Sequence, residues 1–212
     1  MLSKKGEELL KLYKSMADKG YMGQSGGKVN DAFSDFESRY YRDHINSTFI
    51  KVGVKTVLDY GCGGSDWNMK GFDTSGKSAK EFYCLEKVNR YEPARNINER
   101  VVSDAVLNFD VLEHVFIADI QSVLKDIFSY ASKLVVINVA CYPANALLPN
   151  GENAHVTVRH PLWWKSQLDN IALEFPNTSI LLFASTEYRK SMFFPIYKAS
   201  DWIDSDKFMT EG

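Results

Sequence analysis

The chain is poor in cysteine. It has three, Cys62, Cys84 and Cys141, far apart and odd in number. There is no CxxC pair and the four histidines are scattered, so neither a disulfide framework nor a zinc site is expected and no metal ligand is assigned. Free thiols of this kind suit a reducing compartment, where they act as small buried hydrophobes. Long apolar runs are also missing. A membrane-spanning helix needs about 18 or more consecutive apolar residues, and no such stretch occurs. Glu7 and Glu8 spoil any signal peptide near the start, so a cytoplasmic protein is expected. An excess of positive charge is absent too. Lys and Arg number 25 against 27 Asp and Glu, a net charge of −2, which excludes a broad cationic surface for tracking a phosphate backbone. Neither nucleic acid nor membrane is expected as a partner.

What is present reads as one domain. The 212 residues are 45% hydrophobic, enough for a core of its own. Leu9, Leu10, Leu12, Tyr13 and Met16 predict a helix over 3–18 ending at Gly20. The glycine-rich stretch 20–27 reads as a loop, and 31–50, with Phe33, Phe36, Tyr40, Ile45 and Phe49, as a second helix. Strands are expected at 54–59, more weakly at 89–92, then at 104–110, 134–139, 180–183 and 192–197. Helices are expected over 117–131 and from Pro161, a residue suited to a first helical position. Strands alternating with helices predict an α/β, doubly wound, Rossmann-like domain with a mostly parallel sheet. One domain over 1–212 is expected, with a helical or lid segment over 1–50 and a core over 51–200.

The strand at 54–59 runs directly into Asp59-Tyr60-Gly61-Cys62-Gly63-Gly64-Ser65. Small residues in such a turn let a cofactor approach the backbone. No GxGxxG leads into a helix whose N-terminus would receive a pyrophosphate, and an acid stands at the strand end. A cofactor bearing cationic groups therefore suits the turn better than NAD. This turn, within Val57–Gly63, and the run Phe109-Asp110-Val111-Leu112-Glu113-His114-Val115 together resemble class I S-adenosylmethionine (SAM)-dependent methyltransferases in order and spacing. Asn153-Ala154-His155-Val156-Thr157-Val158 with Trp163-Trp164 resembles, more narrowly, an uncharacterised group of bacterial and phage-borne methyltransferases. The resemblance covers about residues 54–165, roughly half the chain.

The resemblance implies a fold, a cofactor and roles. Gly61 and Gly63 should underlie the methionine part of SAM, with Tyr60 and Cys62 in the same loop, and Asp59 should organise its amino group. Glu92 should hold the ribose hydroxyls, and Asp110, Val111 and Glu113 should line the cofactor. The expected product is S-adenosylhomocysteine. Two departures stand out: Ser65 replaces a third glycine, and only 18 positions separate Glu92 from Asp110. A crossover needs about a dozen residues or more, so the third strand should be short or missing and the adenine pocket built from 93–104.

Methyl transfer asks the protein to hold an acceptor in line and to take up its proton. His114 at the carboxyl edge of a strand and His155 in the long segment 140–160 are the candidate catalytic residues, Asn153 an acceptor-binding neighbour. Trp67 is expected to shape the cofactor pocket, and the loop 20–27 with Tyr21 to fold over it. The Pro-Pro-aromatic motif of DNA amino-methyltransferases is missing after Asp110, and no Pro-Cys pair exists for cytosine C5 chemistry. The expected activity is therefore methylation at an O or N atom of a small molecule, by a monomer or homodimer. A SAM-binding regulatory or partner subunit is the alternative, and an NAD-dependent oxidoreductase a third.

Overall fold

A computed structural model describes residues 2–30 and 37–203. Its centre is a seven-stranded sheet formed by β3 (Thr56–Tyr60), β4 (Lys87–Glu92), β5 (Ile97–Asn98), β6 (Ser103–Phe109), β7 (Ala131–Ala140), β9 (Ser179–Glu187) and β10 (Lys190–Tyr197). The spatial order is β10-β9-β7-β6-β3-β4-β5. The five inner strands run parallel, while β5 and β10 pair antiparallel at the two edges. A second, small sheet of order β2-β1-β8 joins β1 (Tyr21–Gly23) and β2 (Lys28–Val29) to β8 (Ala146–Leu147). The α/β reading and the shortened third strand therefore hold: two-residue β5 is all that follows β4 on that side.

The core explains why β7 reads as a continuous apolar run. Its Val135, Ile137 and Val139 pack with Ile120, Leu124, Ile127 and Phe128 of α4 (Ile120–Ser129) and with Trp164 and Leu168 of α5 (Pro161–Ala172). The alternate residues Leu134 and Val136 belong to the other face, with Ile45 and Phe49 of α2 (Arg42–Val52), Trp67 and Tyr83. A strand covered on both sides has no polar face to alternate with, as central parallel strands require. The spacing of Ile120, Leu124, Ile127 and Phe128 puts all four on one helical stripe. Tyr83 lies just after a short helix, α3 (Ala79–Phe82), whose N-cap Ser78 and Glu81 form a reciprocal capping box.

Two expectations change. The segment 20–27 is not a plain loop: β1 and β2 form a hairpin with Tyr21 opposite Val29, and β1 also pairs with β8. The second helix begins later than read. A 3₁₀ turn spans Glu37–Tyr41 before α2, and Phe33 and Phe36 lie outside the described residues. The first helix, α1 (Lys4–Lys19), is capped by Ser3 and ends at Gly20 as expected. A final turn, α6, spans Ser200–Ile203. Among the described residues, no helix is long and apolar enough to cross a membrane.

Candidate functional site

The chain enters the sheet at β3, builds β4 and β5 on one side, then crosses to β6 on the other. The order reverses between β3 and β6, and open α/β sheets bind ligands outside the carboxyl ends of strands at such a point. A cleft of about 830 Å³ opens there. Its floor holds Asp59 through Gly63 at and just past the end of β3, Glu92 at the end of β4, and Asp110 with Val111 after β6. Ser65, Trp67, Tyr91 and His114 add to the walls.

The glycine turn is braced toward β4. Gly61 and Cys62 donate their N–H groups to the Tyr91 carbonyl at 2.7 and 3.1 Å. Gly63 donates to Glu92 Oε2 at 3.1 Å, and Ser65 N–H returns to the Cys62 carbonyl at 3.0 Å. Four backbone donors of the kind that would cradle a phosphate are thus already bonded within the protein. Gly61 needs its lack of a side chain: its φ is +86°, and a Cβ would lie 2.3 Å from Val111 Cγ2.

Asp59 is buried at the end of β3. Trp67 Nε1 donates to its Oδ2 at 2.8 Å, and Ser65 Oγ lies 2.9 Å from the same oxygen. Ser65, a departure from a glycine pattern in the sequence, thus helps to orient the acid. Its single proton is shared with the Cys62 carbonyl, 2.8 Å away. Burial pushes the Asp59 carboxyl up to about 6, with the bonds from Trp67 and Ser65 pulling the other way.

Glu92 uses one oxygen for Gly63 N–H and the other for Ala94 N–H, at 2.9 Å. Burial raises its pKa against those two bonds. Each oxygen keeps a second lone pair for a hydroxyl of a ligand. Gln at 92 has one acceptor oxygen only, which leaves one of these amides facing an NH2 group. Glu92→Gln should cost about 1–3 kcal/mol and lower Tm by roughly 2–12 °C in a thermal unfolding scan. An unchanged Tm would mean that the glycine turn holds its shape without this brace.

Beyond Glu92 the wall is aromatic and cationic. The Arg100 guanidinium lies 4.2 Å from the Tyr91 ring centroid and 2.9 Å from Asp126 Oδ2, which also accepts from Tyr60 OH at 2.7 Å. Pro93, Ala94 and Arg100 are the cleft residues from the segment expected to form an adenine pocket.

The post-β6 run divides between cleft and interior. Asp110 stands at φ 52°, left-handed for a non-glycine residue, as β6 ends. Burial, then Glu37, raises its carboxyl to about 7. Glu113 does not line the cleft: it is fully buried and accepts from the Ala140 N–H at 3.0 Å. His114 reaches the cleft wall, and burial, then His155, depresses its pKa to about 3, so the ring is neutral. His155 lies behind His114, ring centroids 4.9 Å apart, outside the cleft lining. Asn153 is spent on bracing its own loop, bonding Ala144 N–H, Ala144 C=O and the His155 N–H.

The sequence offers 1–50 as a helical or lid segment with Tyr21 over the pocket, but not that α1 supplies most of the covering residues. Leu2, Gly6, Leu9, Leu10 and Tyr13 from the α1 segment line the cleft with Tyr21 and Val29, whereas nothing from 140–160 does. Ser3 pins this roof by donating its N–H and Oγ–H to the two oxygens of Asp119, each at 2.8 Å. Gly6 permits the approach, since a Cβ there would lie 2.2 Å from Asp119 Oδ2. Tyr13 OH donates to the Ala154 carbonyl at 2.6 Å. The apolar stripe of α1 signals that it packs on something, but not on what. No protein-family model, no curated protein and no solved structure matches the chain.

Proposed function

We propose that the chain is a SAM-dependent methyltransferase acting on an O or N atom of a small molecule. The observation that carries this reading is the character of the cleft floor. Buried Asp59 and half-buried Glu92 and Asp110 present carboxyls along one ledge of strand ends, beside a glycine turn whose Gly61, Cys62, Gly63 and Ser65 amides are already bonded. Such a floor repels a pyrophosphate and suits a ligand with an ammonium, a sulfonium and a pair of hydroxyls. The residues fit that cofactor: Asp59 would face its amino group, Gly61 and Gly63 would admit its methionine part, and Glu92 would accept from its ribose hydroxyls. When bound, SAM supplies an electrophilic methyl group.

The protein's share of the chemistry is placement and exclusion of water. The α1 roof, pinned through Ser3 and Asp119, covers the cleft. Asp110 is the cleft-facing group whose pKa, about 7, suits proton transfer at neutral pH, so it is better matched to take up an acceptor's proton than neutral His114. The 140–160 segment leaves the cleft open, which favours an enzyme over a plugged binding subunit.

Calorimetric titration with SAM, S-adenosylhomocysteine and NAD tests the proposal. Micromolar binding of the first two, no binding of NAD, and loss of SAM binding in Asp59→Ala are expected. NAD binding without SAM binding would overturn it, as would failure to bind any of the three.

A further inference from the structure

Behind the cleft wall, Glu113, His114 and His155 bring one ligand atom each within 4.8 Å of one another. Glu113 and His114 come from the turn after β6, and His155 from the segment after β7, so two strand ends and a loop meet here. Their hydrogen bonds leave an imbalance. His114 Nδ1 lies 2.8 Å from the Ala154 carbonyl oxygen, and His155 Nδ1 lies 2.6 Å from that of Tyr142. A carbonyl oxygen only accepts, so both Nδ1 atoms carry the ring proton and both Nε2 atoms keep a bare lone pair.

Glu113 brings its carboxyl to the same point. Its Oε1 accepts from Ala140 and lies 4.0 Å from His155 Nε2, while the fully buried Oε2 has no hydrogen-bond partner. Two imidazole lone pairs and a buried carboxyl group thus converge on one point, and burial together with Asp110 holds that carboxyl well above the ordinary range, so the proton it carries is the one a cation would displace. Buried polar atoms are normally satisfied, and this arrangement is satisfied by a cation. It also has the feature that accompanies histidine ligation: each ring's other nitrogen donates to a fixed backbone oxygen, setting tautomer and orientation.

We propose that Glu113, His114 and His155 bind a divalent transition-metal ion, with zinc the best match to two imidazoles and one carboxylate. Three protein ligands of this kind leave a fourth position open. Zinc–nitrogen bonds of about 2.0–2.1 Å bring donors to roughly 3.4 Å from one another, so the three groups close by about 1 Å on loading, within reach of side-chain rotation. Burial lowers both histidine pKa values, which keeps the rings in the metal-binding form. The ion would join the His155 loop to the post-β6 turn on the cleft's own wall. The site does not depend on methyl transfer being the reaction.

The test is calorimetric titration of the chelator-treated full chain with Zn2+, and with Mn2+ and Mg2+ in parallel. One equivalent of Zn2+ should bind with micromolar or tighter affinity. Binding should weaken at least 100-fold in His155→Ala and be unchanged in His44→Ala, which removes an exposed histidine elsewhere. Loading the wild-type chain with Co2+ gives a second readout that does not require a folded variant: visible ligand-field bands of a low-coordinate N/O site, displaced by Zn2+. The proposal is overturned if wild type binds none of the three ions saturably, if His155→Ala binds Zn2+ as wild type does, or if Co2+ shows only the spectrum of the hydrated ion.

Discussion

Gly61→Ala should lower the stability of the chain by about 2–4 kcal/mol. A left-handed backbone costs a residue with a side chain about 1–2 kcal/mol, and Gly61 has φ +86°. The new methyl group also lands 2.3 Å from Val111 Cγ2 and 3.2 Å from Cγ1, on a β-branched side chain with little rotational freedom. Overpacking of this kind typically costs a further 1–3 kcal/mol or so. The two causes can be separated. Val111→Ala added to Gly61→Ala removes the clash and leaves the backbone cost, so the double variant should recover about half of the loss. Urea unfolding followed by tryptophan fluorescence measures all three. Equal stability of Gly61→Ala and wild type would show that the turn relaxes, and that Val111 does not dictate glycine at this position.

Asp59→Asn should do the reverse for stability while impairing ligand binding. The carboxyl titrates at about 6 in the folded chain against an ordinary 3.8, because it is buried. Between those values the folded state holds a proton that the unfolded state has released, so stability falls as pH rises through that window. Above about pH 6 the full penalty applies, on the order of 3 kcal/mol for a fully buried carboxyl displaced this far. Asparagine keeps an oxygen to accept from Trp67 and Ser65 and carries no charge to desolvate. The variant should match wild type near pH 4 and exceed it by about 2–3 kcal/mol at pH 7. SAM affinity should fall at least tenfold, because the group proposed to face the cofactor's ammonium is gone. If the stability difference is flat from pH 4 to 7, Asp59 is not a desolvated acid. If SAM affinity is unchanged, its place in the site is structural only. The combination expected here marks a residue kept for binding at the expense of the fold.

Much of the frame is legible in local pattern. β7 announces itself through a run of apolar residues, α5 through its proline, and α1 through the spacing of Leu9, Tyr13 and Met16 and its stop at Gly20. Each of these depends on residues within a few positions of one another. The Gly61–Gly63 turn and its acid are legible for the same reason, since strand, turn and Asp59 are contiguous. The compression between Glu92 and Asp110 follows from counting, and the two-residue β5 agrees.

The rest depends on partners far apart in the chain. The stretch 20–27 reads as a loop because its glycines dominate, yet it becomes strand through pairing with Ala146 and Leu147. The N-terminal helix becomes the roof of the cleft because Asp119 holds Ser3 and because Ala144, Leu148 and Ala154 receive its apolar stripe. His114 and His155, scattered in sequence, meet only because two strand ends and a loop converge, with the carbonyls of Ala154 and Tyr142 fixing which nitrogen carries the proton. The sequence by itself therefore determined the layered α/β frame and the place of the glycine turn, because hydrophobic periodicity and turn chemistry act over a few residues. Only the tertiary structure decided that α1 supplies most of the roof, that Glu113 turns away from the cleft and which lone pairs are left unpaired, because those depend on burial and on backbone groups that no local pattern encodes.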